Sequence, residues 1–167
     1  MTLRESYPLD GKKPLKKTIA YVWFLFLLFF VLVIPIGIML PVNLTQVSFF
    51  FSRVFVIGFP AFFLLFLSFL AYFYELFYMK YYFYDIIGNN LIIKKGVFSR
   101  NEITVAFNRL QDVYTHQDVL DRFFGLYDLY VSSATFTSGE LSHIDGLNKE
   151  NSEIIKGLIL ERIRKHE

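Results

Sequence analysis

Three histidines, His116, His143 and His166, and three hydroxyls, Ser132, Ser133 and Ser138, are the side chains best suited to metal binding or nucleophilic chemistry. The histidines lack the i, i+4 spacing that aims two imidazoles at one metal, and the chain has no cysteine. No G-x-S-x-G elbow frames a serine, so a pairing of Ser132, Ser133 or Ser138 with His143 has no nucleophile context. No Gly-rich phosphate loop occurs. The expectation is therefore no catalytic residue, no cofactor and no metal site, and no small-molecule substrate is evident. The carboxylates are scattered along strands and loops, where solvation is their default role. Lys94, Lys95 and Arg100 follow the Gly88-Asn89-Asn90 turn. Beside an anionic leaflet each would gain about 1 kcal/mol, enough to bias orientation without selecting a headgroup.

These side chains must be positioned by two unlike halves of the chain. No charge occurs from Thr18 to Ser52, and after Arg53 none occurs from Val54 to Tyr74. A helix crosses about 30 Å of hydrocarbon with about 20 apolar residues. Two membrane helices are expected, at about 18–40 and 54–74, separated by the external loop Pro41-Val42-Asn43-Leu44-Thr45-Gln46. Pro35 and Gly37 are expected to kink the first helix, and Gly58 and Pro60 the second. The first run is longer than a signal-peptide core, and no small-residue cleavage site follows it. Residues 1–17 form a basic tail with five cations against two anions, a net +3. With Lys80 after the second run, this places both termini in the cytoplasm of a multi-pass plasma-membrane protein. Tyr72, Tyr74, Tyr78, Tyr81 and Tyr82 read as an interfacial belt, and Glu75 as a charge solvated at headgroup level. Neither run carries a midplane ionisable residue, and two helices enclose no pathway, which argues against transport by this chain alone.

Residues 80–167 read as a domain of short antiparallel strands. It carries 11 basic and 12 acidic side chains, so nucleic acid is not an expected partner. Strands are expected at 81–87, 91–95, 102–107, more weakly 111–117, then 126–134 and 140–145. Asp118 can cap a helical turn over 119–124 that Gly125 ends. Ile154, Ile155, Leu158, Ile159 and Ile163 form the apolar stripe of a final amphipathic helix. The expected fold is a membrane helical hairpin plus an α+β domain, an antiparallel β-barrel or curved sheet capped by its C-terminal helix.

The order Asn108-Arg109-Leu110-Gln111-Asp112-Val113, then Gln117, then Leu120-Asp121-Arg122-Phe123-Phe124-Gly125-Leu126, then Leu129-Tyr130-Val131-Ser132-Ser133-Ala134 resembles the bacterial pleckstrin-homology-like domain family in its membrane-anchored form. The positions that carry the resemblance are Arg109, Gln111, Val113, Gln117, Leu120, Arg122, Gly125, Leu126 and Ala134. Leu110 and Ser133 depart mildly from the family's usual Ile and Thr. The resemblance covers about 81–163 and implies a partly open barrel capped by a helix. It implies no reaction; roles in envelope stress, membrane assembly or oligomeric scaffolding are what it suggests. For the matched positions, Gly125 would supply a positive φ, and Gln117 would bond a strand or turn backbone group. Arg109 and Arg122 would pair with Asp112, Asp121 or Asp128. The expected function is a non-enzymatic interaction or scaffold module on a two-helix anchor, with the bilayer and a protein partner or second copies of itself as partners. Confinement to the membrane raises the effective concentration of such contacts. The strand Tyr81–Tyr84 and the Tyr127/Tyr130 face are the expected contacts. The alternatives are anionic-lipid sensing through Lys94, Lys95 and Arg100, and an accessory subunit of a membrane enzyme or transporter.

Overall fold

The computed structural model describes residues 2–39, 46–133 and 143–165. Residues 41–45 of the external loop expected at 41–46, Ala134, Ser138, His166 and the first residues of the strand expected at 140–145 lie outside them. The chain divides into two compact units, Met1–Lys16 with Leu76–Glu167, and Lys17–Glu75.

The second unit is built on two long helices, α2 (Lys13–Met39) and α3 (Gln46–Tyr81); a single turn, α1 (Leu3–Ser6), precedes them. At about 1.5 Å per residue, both exceed the thickness of a bilayer core. Lys13–Val31 and Gly58–Tyr81 are long and apolar enough to cross a membrane, and only 17% and 6% of those stretches is buried. Both helices run further than the hydropathy boundaries predicted. α3 begins eight residues before Val54 and continues to Tyr81, which was expected to start a strand. No Gly or Pro interrupts 46–57 or 61–81, so nothing local ends the helix where its polarity changes. Glu75 is not solvated: it is 4% exposed and accepts a hydrogen bond from Tyr21 Oη at 3.3 Å.

Among the described residues the first unit contains two three-stranded antiparallel sheets, open as the partly open barrel or curved sheet implies. β1 (Phe83–Ile87), β2 (Asn90–Lys95) and β3 (Asn101–Ala106) form one, in the order β1-β2-β3. A 3-10 turn at Phe107–Arg109 then breaks the strand direction. β4 (Leu110–His116), β5 (Tyr127–Ser133) and β6 (His143–Leu147) form the other, with α4 (Val119–Phe124) between β4 and β5. A register shift between Leu110 and Asp112 puts an irregularity at the start of β4 in its pairing with β5. α5 (Lys149–Arg164) is capped by Asn148, which accepts from Asn151 N at 2.7 Å. It packs on β4, β5 and the Phe107–Arg109 turn. Its Ile155 and Ile159 join Leu91 and Ile93 of β2 and Leu129 and Val131 of β5 in one core. Leu9, from the N-terminal segment, belongs to that core as well.

Candidate interaction surface

The N-terminal segment supplies cations to a domain that carries a slight acidic excess. Pro8 and Leu9 lead into a turn in which Asp10 Oδ1 accepts from Lys12 N at 2.9 Å, while Asp10 N donates to Gly146 O at 2.8 Å. α2 starts there, and Pro14 falls in its first turn, where a missing N–H costs nothing. Lys13 is 1% exposed; its Nζ lies 2.6 Å from Asp145 Oδ1 and over the rings of Tyr82 (4.3 Å) and Tyr78 (5.2 Å). Its stem rests on Gly146, where a Cβ would meet Lys13 Cδ at 2.6 Å and where φ is +78°. One turn on, Lys16 Nζ bridges Asp121 (2.5 Å) and Asp118 (3.0 Å). Lys12 donates to Phe124 O at 3.3 Å. Arg4 donates to the carbonyls of Met79 and Lys80, placing a cation on the free end of α3 as the helix dipole favours. The segment expected as a basic tail thus contributes to the domain's core and to its buried ion pairs. The carboxylates expected to be solvated include three, Asp121, Asp128 and Asp145, that are buried.

That engagement also corrects the arginine pairings. Asp121 takes Lys16, and Asp128 accepts from Gly146 N at 2.8 Å. Arg109 and Arg122 are exposed, and among the described residues no ion pair joins either to Asp112, Asp121 or Asp128. Asp118 has dehydration against it, but the Asp121 N–H and the Lys16 ammonium outweigh this and hold its carboxyl below the ordinary carboxylate range. Burial pushes Asp128 up despite its hydrogen bond from Gly146. Gln117 Nε2 donates to Leu126 O at 2.7 Å, tying the end of β4 to the start of β5. Gly125 closes α4 with φ +70°. Val113 and Leu126 are buried, Leu120 is partly buried and Gln111 is exposed.

The expected contact strand is largely interior. Tyr82 and Tyr84 are fully buried. Tyr82 Oη donates to His143 O at 2.8 Å, and Tyr84 Oη donates to Tyr7 O. The end of α3 delivers Tyr82 to the core, and the strand's two-residue period then returns Tyr84 there. The same period separates Tyr127 from Tyr130: position 127 falls on the face of Leu129 and Val131, and Tyr130 on the other. Tyr130 is the centre of a three-ring ladder. It stands opposite Tyr114 of β4 and His143 of β6. Its ring stacks on Tyr114 at 5.4 Å and 7° and on His143 at 4.9 Å and 15°. His116 meets Tyr130 edge-on at 6.1 Å. Tyr114 is half exposed, so the ladder opens to solvent at β4. At its other end Lys95 Nζ lies 3.3 Å from His143 Nδ1 and 5.6 Å from the Tyr82 ring centroid. Lys95 is therefore not a surface cation; it is 8% exposed, on the inward face of β2 with Leu91 and Ile93. Lys94 and Arg100 are exposed, Lys94 paired with Glu102 at 3.0 Å and Arg100 over the ring of Tyr81 at 5.5 Å. The ladder was legible only as scattered aromatic residues; the strand register makes it one surface.

Among the described residues no group of three His, Asp or Glu side chains converges as a metal site would require. A family model described as bacterial PH domain matches residues 23–163. No curated protein and no solved structure matches the chain.

Proposed function

Because that match spans most of its length, the chain belongs to the bacterial PH domain family, and from this premise we propose that it is a non-enzymatic interaction module held at the membrane by α2 and α3. The Tyr114–Tyr130–His143 ladder is the observation that carries the reading. Stacked cross-strand aromatics give a rigid, amphipathic face at low entropic cost, the composition that protein interfaces favour. Its occupant is a protein partner or a second copy of this chain, and the anchor raises the effective concentration of either. Roles in membrane assembly or envelope stress fit such a module. The test is native mass spectrometry of the full-length protein released gently from its own membranes, wild type against Tyr114→Ala and Tyr130→Ala. A defined assembly that dissociates in both variants, with folding intact by circular dichroism, supports the reading. An assembly unchanged in both removes the ladder from it. The anionic-lipid alternative keeps Lys94 and Arg100, both exposed, and loses Lys95 to the interior.

A further inference from the structure

Among the described residues of the first unit, two of the most exposed apolar side chains lie on α4. Val119 and Phe123 are 83% and 81% exposed. They stand four apart, so they share one helical face. α4 is held rigidly. Asp118 and Asp121 form a reciprocal capping box, and Gly125 ends the helix in the left-handed conformation. The helix is also tied to the first turn of α2 through Lys16 to Asp118 and Asp121, and to the turn before α2 through Lys12 to the Phe124 carbonyl. Lys16 stands two positions before the uncharged run that opens at Thr18, about 3 Å of helical rise. A short helix joined to the start of α2, with Arg122 exposed beside two bare apolar side chains, has the make-up of an interfacial membrane contact.

We propose that the Val119/Phe123 face of α4 seats in the headgroup region of the bilayer beside the first turn of α2, as a third anchoring point. This rests on the membrane reading of the two long helices. It also accounts for the burial of Lys16, whose ion pairs hold α4 to the start of α2 rather than leaving the ammonium to lipid phosphates. The experiment uses the full-length protein reconstituted in phosphatidylcholine/phosphatidylglycerol vesicles with and without brominated acyl chains. Trp23 is the chain's single tryptophan. In the wild type its quenching by bromolipid reports the membrane reading alone. In a Trp23→Phe background, Phe123→Trp reports α4, and Ile87→Trp, at the end of β1 away from α3, is the aqueous control. The expected result is blue-shifted emission and bromolipid quenching at position 123, with aqueous acrylamide quenching lower than at position 87. If Trp23 is quenched by lipid while position 123 behaves like position 87, the α4 contact is overturned and the anchor stands. If position 123 is shielded from both lipid and acrylamide, a protein surface covers α4 and the proposal is likewise overturned. If Trp23 itself is untouched by bromolipid, both readings fall.

Discussion

The residues that matter most are lysines that do not behave as surface lysines. Lys13 and Asp145 are both buried at 2.6 Å, with two tyrosine rings around the ammonium. Removing one partner of such a pair strands a buried charge and costs about 3–5 kcal/mol, whereas replacing both with apolar groups costs far less. Lys13→Met is expected to destabilise the first unit by that amount, and Lys13→Met with Asp145→Leu to recover most of it, as measured by denaturant unfolding in detergent. Asp128 makes a pH-dependent prediction. Its folded carboxyl is pushed above its unfolded value, so its contribution to stability is full below the unfolded value and is lost as pH rises through the folded one. Asp128→Asn keeps an acceptor for Gly146 N and removes that loss. The variant should gain on the wild type as pH climbs out of the carboxylate range; a constant gap across pH would refute it. Asp118 has the opposite sign, its contribution being present above the ordinary range and lost as pH falls through its lowered folded value.

At the scale of elements, the N-terminal segment and the sheets complete one another. Residues 1–16 bring Leu9 to the core, Lys13 and Lys16 to buried carboxylates and Arg4 to the end of α3. A fragment of residues 80–167, the domain as composition delimits it, is therefore expected to lose fixed tertiary structure. Fusing residues 1–16 ahead of residue 76 through a flexible linker should restore it. Near-ultraviolet circular dichroism of the two fragments checks this, and a well-packed 80–167 fragment would count against the role given to the segment. The approximate strand positions, the Asp118 cap and the Gly125 stop were legible because each depends on neighbours in sequence. The helix ends of α3 were not, since hydropathy marks where a bilayer would end and not where a helix does.

For the whole molecule, the anchored reading has a topological consequence. The chain has no cysteine, so single cysteines can be introduced without a background. In intact cells, a membrane-impermeant maleimide is expected to label Asn43→Cys and to spare Ser6→Cys and Glu153→Cys until the membrane is breached. Labelling of Ser6→Cys in sealed cells would reverse the orientation.

The sequence by itself determined two long apolar segments, a small strand-rich unit, the C-terminal amphipathic helix and the family, because periodicity, uncharged length and ordered short motifs are local properties. Tertiary structure decided the rest. It divided the strands between two three-stranded sheets, joined Tyr114, Tyr130 and His143 into one ladder, and turned Lys13, Lys16 and Lys95 inward. The reason is that a lysine's burial depends on which carboxylates or rings the fold brings to it. Lys13 and Asp145 stand 132 positions apart in the chain, and no local pattern of charge records their meeting.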